Sequence, residues 1–295
     1  MPLTAPLPPT TESPHVRISR LGEPPEAEGE RLSALPPGSD VPLIELRRTG
    51  DVYRLHIEGA GVYAISQKEI SYWAADGGPR AEIHLIGIAM AIWLELAGVL
   101  ALHGSGVVVD GRAIGFLGGN RSGKSSLALH LMSLGATLLS DDLLAIRPQD
   151  GYIEAAPGYP QVRLWPQEAE ALAGGAQGFE RAHPDFDNLR IPRSDARWGE
   201  FAEGAVPLGA LYVLDGTSGS GWDELNLQKA VIEMTRHSFA APFLSALGVQ
   251  QSRLAKLASL ARSVPVRWLA PDRSGVTLQE LAEMVLSDHR SRPRS

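Results

Sequence analysis

A chain of 295 residues, 44% hydrophobic and 21% charged, can bury a full core and has the composition of a globular protein. Its net charge of -7 argues against a duplex nucleic-acid binder, which carries a basic surface, and the lack of cysteine rules out disulfides and thiolate metal sites. A cysteine-free chain suits a reducing, cytoplasmic setting.

Nine prolines fall in residues 1–40, a density that predicts an extended, mobile arm without a core. The opening MPLTAPLPPTTESPH has no basic patch followed by an apolar stretch, so no secretory signal is read there. Residues 41–100 form the next predicted unit, a small β/α domain. Residues 43–47, 52–57 and 61–65 alternate apolar and polar side chains between Gly-containing turns and predict a meander. Residues 83–102 are apolar over a length comparable to a bilayer, but they include His84 and Glu95. A buried helix over about 84–97, ending near Gly98, is predicted rather than a membrane span.

Residues 101–295 are predicted to be one unit, with its core at 101–165. Residues 106–109 and 112–117 flank Asp110-Gly111, a hairpin signal. The second strand runs into GGNRSGKS, and residues 124–134 follow as a helix with Leu127, Ala128, Leu131 and Met132 on one face and Gly135 at its end. Residues 137–140 predict a strand ending at Asp141-Asp142. A further hairpin, 143–147 to 152–155, turns at Asp150-Gly151. Residues 166–206 read as irregular, with a short helix near 167–173 and a polar loop at HPDFDNLRIPR. A buried strand is predicted at 209–215, and a helical region over 225–290. Within it lie helices at 228–236 and 252–262, a strand at 266–269, and a last helix opened by a Thr277/Glu280 capping box. The basic tail HRSRPRS predicts a frayed end.

The run Gly118, Gly119, Asn120, Arg121, Ser122, Gly123, Lys124, Ser125 spells G-x-x-x-x-G-K-S, the Walker A phosphate loop. Glycines let the backbone N–H groups cradle phosphate oxygens, Lys124 reaches the β and γ phosphates, and Ser125 can ligate Mg²⁺. Ser126 continues the helix, whose N-terminal end adds positive potential. The expected ligand is a nucleoside triphosphate, ATP, with Mg²⁺. The Asp141-Asp142 pair would reach the phosphate end from a strand laid beside the phosphate-loop strand. One carboxylate would hold Mg²⁺ and the other accept the proton of an attacking hydroxyl, although paired aspartates also suit a solvated turn. His103, just before the hairpin, fits either a packed histidine or a site residue. Arg190 and Arg193 could grip an anion from a closing loop or be solvated, and Arg236-His237 reads as a helix C-terminus.

The run LHGSGVVVDGRAIGFLGGNRSGKSSLALHLMSLGATLLSDDLLAI resembles the core of the HPr serine kinase/phosphorylase family. The likeness is greater to the stand-alone relatives encoded beside lasso-peptide genes. A histidine before the hairpin, the phosphate loop, and an Asp pair beginning 16 residues after Ser125 carry it, and AAPGYPQVRLWP is similar to the lasso-associated members. The resemblance implies an α/β, PEP-carboxykinase-like P-loop mixed sheet, here with a small β-rich N-terminal domain and a helical C-terminal region. It implies a catalytic base at Asp141, a metal-associated carboxylate at Asp142 and a site histidine at His103. Arg121 stands where the family usually has a glycine. The family's Glu-Ile-Arg-Gly run is missing, with only Arg163 to stand in for part of it.

The expected activity is a serine kinase acting on a peptide, at or near the C-terminus of a ribosomally made, lasso-type precursor. Arg163, Arg190 and Arg193 would bind the terminal carboxylate. A regulatory kinase acting on a carrier protein, and a nucleotide-binding module without transfer, are the alternatives. The partner is thus a peptide or small protein and not nucleic acid, with oligomerisation left open.

Overall fold

The structure, a computed structural model, describes residues 16–26, 28–37, 43–75, 77–149, 152–173, 179–183, 186–192, 200–214, 221–270 and 276–291. The first sheet holds β1 (Arg17–Arg20), β2 (Glu30–Leu35), β3 (Ile44–Thr49), β4 (Val52–Ile57), β5 (Gly61–Ile65) and β6 (Glu69–Ala74). Their order is β1-β6-β5-β4-β3-β2, antiparallel throughout except for the β1–β6 edge. Alternation sets the buried face: Tyr53, Leu55, Ile57, Tyr63, Ile65, Ile70 and Tyr72 point inward. The meander expected from 43–65 is present and extended at both ends.

The arm expected over 1–40 is corrected from residue 17 to residue 35. Residues 17–20 and 30–35 are the two edge strands of this sheet, and Ile18, Leu32 and Leu35 pack against its core. The prolines stand outside those two runs, so the ladder hydrogen bonds survive. Residues 1–15 lie outside the described residues.

One helical rod covers the buried face: α1 (Pro79–His84), a π-helical turn at Leu85–Ala89, and α2 (Met90–Leu96). It starts earlier than predicted and ends at Gly98, whose φ of 81° takes the left-handed turn. Ala81, Leu85, Ala89 and Ile92 share one cluster with the first sheet and with Ala101, Leu143, Phe243, Leu244 and Leu247 from beyond the rod. Among the described residues no helix is long and apolar enough to cross a membrane.

The second unit comprises β7 (Leu100–Val109), β8 (Arg112–Gly118), α3 (Lys124–Ser133), β9 (Thr137–Ser140), β10 (Leu143–Gln149), β11 (Tyr152–Ala156), β12 (Gln161–Leu164) and α4 (Pro166–Ala173). It continues with β13 (Glu180–His183), β14 (Phe186–Pro192), β15 (Val206–Leu214), β16 (Gly221–Glu224), α5 (Leu227–Arg236), α6 (Gln250–Ser263), β17 (Val266–Ala270) and α7 (Leu278–Arg290). Its main sheet runs β11-β10-β7-β8-β15-β17-β16, with β9 also on β7. The β7–β8 hairpin is antiparallel, whereas β8–β15 and β15–β17 are parallel, so the sheet is mixed. One face carries α3 and α7 through Leu127, Leu131, Leu281 and Val285. The other carries α5 and α6 through Met234, Leu257 and Leu260. The Thr277/Glu280 capping box is formed in both directions.

The polar loop expected at HPDFDNLRIPR is corrected: β13 and β14 pair there and join β12 in a separate three-stranded sheet. In the ladder register residue 191 pairs with Val162 and the buried Leu189 with the buried Leu164, a pairing hidden in the sequence by the surrounding Asp, Asn and Arg residues.

Candidate phosphoryl-transfer site

The phosphate loop spans the end of β8 to the start of α3. Gly118 cannot carry a side chain, because a Cβ would lie 2.6 Å from the Leu214 carbonyl oxygen of the neighbouring strand. Arg121 and Gly123 take φ values of 63° and 95°, the left-handed turns that curl the loop. Lys124 opens α3, is 6% exposed, and donates from Nζ to the carbonyls of Gly118 (3.0 Å) and Gly119 (2.8 Å). Burial pulls its ammonium below the usual lysine range, with Asp142 and Asp141 opposing that shift. The buried Ser122 hydroxyl has no hydrogen-bond partner among the described residues. A donor left open inside a glycine-rich loop fits an anion, so the loop suits the phosphates of a nucleotide.

β9 and β10 form one line along a single edge of β7, opposite β8. Residues 137–140 pair with 106–108, and 143–146 with 100–103. Asp141-Asp142 breaks this line, with Asp142 at φ 68°. Consecutive strand residues would point to opposite faces, but the break turns both carboxylates to one site. The expectation that this strand lies beside the phosphate-loop strand is corrected: β7 intervenes. Contact is still made across it, because Ser125 Oγ donates to Asp141 Oδ1 at 2.8 Å.

Asp141 Oδ1 also accepts from Ser105 Oγ at 2.6 Å, and its Oδ2 from the Arg163 backbone N–H at 2.8 Å. Burial first, then the Asp142 charge, push the Asp141 carboxyl up to about 6, while these three donors pull it back. Asp142 Oδ2 pairs with the Arg163 guanidinium at 2.8 Å. His103 Nδ1 lies 3.2 Å from the Asp142 carbonyl oxygen, and its ring meets Phe239 edge-on. Burial and the nearby Lys124 lower its pKa, which favours the neutral imidazole. Two carboxylates and the Ser125 hydroxyl form a donor set that fits Mg²⁺, which keeps several waters and relies on substrate phosphates.

The structure therefore gathers the phosphate loop, Asp141, Asp142, His103 and Arg163. Ser126 is buried inside α3. Arg190 stands directly across the ladder from Arg163 and pairs with Glu180 at 2.6 Å. Arg193 lies outside the described residues. Arg236 pairs with Glu233 at 3.0 Å, and the His237 carbonyl accepts from the His103 backbone N–H at 2.7 Å, so the end of α5 abuts the site.

Two contacts escape sequence reasoning. Ser105 carries no motif of its own beyond a hydroxyl between two glycines in an apolar strand. Trp165 stacks under the Arg121 guanidinium, 4.3 Å from the ring centroid, a contact made only once β12 is folded over the loop.

No protein-family model matches the chain, and no curated protein matches it. Among solved structures, it aligns with the Hpr(Ser) kinase/phosphatase from Coxiella burnetii at 12% identity, over 65% of this chain and 96% of that one, with a TM-score of 0.37.

Proposed function

We propose that the chain is an ATP- and Mg²⁺-dependent phosphotransferase that moves the γ-phosphoryl group onto a serine hydroxyl of a peptide or small protein. The observation that carries this reading is the Asp141 carboxylate bonded to the phosphate-loop Ser125, with Asp142 beside it on Arg163 and Lys124 close by. A module that only bound nucleotide would not need a second, partly exposed carboxylate. The mixed sheet, with its phosphate-loop strand hairpinned to β7, supports a PEP-carboxykinase-like P-loop arrangement for residues 101–295, and ATP dependence suits the cytoplasm.

The geometry favours exchanging the roles that the family resemblance implies for the two aspartates. Asp141 is enclosed by three donors and touches the metal-ligating serine, so it belongs to the metal's surroundings. The Asp142 side chain is 26% exposed and held from one side by Arg163, so it can meet an incoming hydroxyl. In the transfer, the acceptor oxygen bonds to the γ phosphorus as the bond to the β–γ bridging oxygen breaks. The serine proton passes to the Asp142 carboxylate and ADP leaves. Lys124 and Arg121 meet phosphate charge, and Ser125 with Asp141 would hold Mg²⁺, which would supply further charge neutralisation. His103, neutral and bonded to the Asp142 backbone, fixes that turn.

For the acceptor, Arg163 and Arg190 stand opposite each other in the small sheet, paired with Asp142 and Glu180, and a peptide's terminal carboxylate would bind by sharing or displacing one of these pairings. The substrate class is a flexible precursor phosphorylated at a serine close to its C-terminus, as in lasso-peptide tailoring. The test is mass spectrometry of candidate peptides after incubation with ATP, in acid and amide forms. The amide should react roughly 10- to 150-fold more slowly, the worth of one charge-assisted contact. Equal rates would remove carboxylate recognition, and efficient transfer to a folded HPr-type carrier would replace the peptide substrate by a regulatory one. Nucleotide binding with no transfer to any acceptor would leave a binding module.

A further inference from the structure

Apart from His103, β7 is apolar on both sides of one hydroxyl. Ser105 is 0% exposed and sits between Gly104 and Gly106, where a Cβ would meet the Phe116 carbonyl oxygen at 2.6 Å and Leu144 Cδ1 at 3.0 Å, respectively. The strand is therefore pressed against its neighbours on the glycine face. Alternation turns Ser105 to the opposite face, toward α3 and the Asp pair. A hydroxyl buried in a strand core costs free energy unless it is bonded, and here its bond is the 2.6 Å contact to Asp141 Oδ1. The same oxygen accepts from Ser125 at 2.8 Å. Two hydroxyls thus converge on one carboxylate oxygen, and only one of them belongs to the phosphate loop.

We propose that Ser105 is a positioning residue: it holds the Asp141 carboxylate in place so that Ser125 is free to turn its oxygen toward the metal. Without Ser105, Oδ1 would be anchored by Ser125 alone, and drawing Ser125 toward the metal would loosen the carboxylate at the moment it is needed. With Ser105, Oδ1 keeps a donor from β7 and Oδ2 keeps the Arg163 N–H from β12. The carboxylate is then clamped from two strands that do not belong to the phosphate loop. This inference rests on the reading of Asp141 as a metal-associated carboxylate, but not on the identity of the acceptor.

The experiment is calorimetry of the full chain with ATP, with and without Mg²⁺, on wild type, Ser105→Ala and Ser105→Thr, with melting curves for each. Ser105→Ala should bind metal-free ATP within about twofold of wild type. It should lose roughly 10- to 150-fold of the affinity gained from Mg²⁺, the range for a hydrogen bond to a charged group. Ser105→Thr, which keeps the hydroxyl, should recover most of that gain. If Thr proves too large to fold, Ser105→Cys, a weak donor of similar size, should fall between wild type and Ala. An unchanged Mg²⁺ gain in a folded Ser105→Ala, or an equal loss with and without metal, overturns the proposal. A wild type whose ATP affinity ignores Mg²⁺ overturns the metal reading of Asp141 itself. Failure of every acceptor in the transfer assay would instead sink the proposed activity while leaving this result standing.

Discussion

Replacing each aspartate by asparagine separates the two carboxylates, because the change removes charge and keeps shape. Asp142→Asn takes away the partly exposed carboxylate proposed as the base, so kcat should fall by about 10²- to 10⁴-fold, the usual contribution of a positioned base. The lost pair with Arg163 is partly solvated, at 21% and 26% side-chain exposure, so the fold should lose about 1 kcal/mol or less and remain intact. ATP affinity should hardly move. Asp141→Asn acts differently. Its amide can keep one oxygen on the two serine hydroxyls only by turning its NH₂ toward the Arg163 N–H, donor against donor, or the reverse. The apparent Mg²⁺ requirement should rise by roughly 10- to 150-fold, with transfer regained at saturating metal. The assay is single-turnover transfer from labelled ATP across a Mg²⁺ titration. Asp142→Asn turning over near the wild-type rate, with Asp141→Asn dead at every Mg²⁺ concentration, would refute the exchange of roles.

Lys124→Ala should abolish transfer and weaken ATP binding by at least the roughly 10-fold of one charge-assisted contact; unchanged affinity by calorimetry would remove the phosphate loop from the argument. The Asp141 carboxyl is raised, so the native state holds its proton longer than the unfolded chain does. Its contribution should therefore lower stability as pH rises from about 4 to about 6, by about 3 kcal/mol, and Asp141→Asn should flatten that slope in denaturant titrations. Arg253→Leu should leave the Glu95 carboxylate buried with only the Ala101 N–H, at a cost of about 3–5 kcal/mol. Melting should drop by roughly 6–20 °C, and adding Glu95→Leu should restore most of it; a single variant melting like wild type would show the pair to be idle.

The legible parts of the fold are those with strong local chemistry. Asp110-Gly111 marks the β7–β8 hairpin, Gly135 ends α3, and the Thr277/Glu280 box starts α7, because each is decided within a few residues. What was missed depends on distant partners. β1 and β2 become strands only because β6 and β3 offer them ladders, and β13–β14 is hidden by polar residues on its solvent side. At the site, spacing places the phosphate loop and the Asp pair in one region. It cannot order two adjacent aspartates, since the distinction rests on a φ of 68° and on Arg163 arriving from another sheet. Ser105 and Trp165 gain their meaning from contacts 36 and 44 residues away along the chain.

The rod from Pro79 to Leu96 has a bearing on how the protein can be cut apart. Its side chains share a single apolar cluster with the first sheet and with Ala101, Leu143, Phe243, Leu244 and Leu247 of the unit that holds the phosphate loop. Glu95 and Arg253 bolt that arrangement from within. A truncation at residue 98 would thus not yield a minimal phosphate-loop unit. It would lay bare Ala101 of β7 and Leu143 of β10, on the strands that carry His103 and lead from the Asp pair, and the fragment should aggregate or lose the geometry of the site. Inactivity of a version shortened in this way would say nothing about the chemistry of the intact chain.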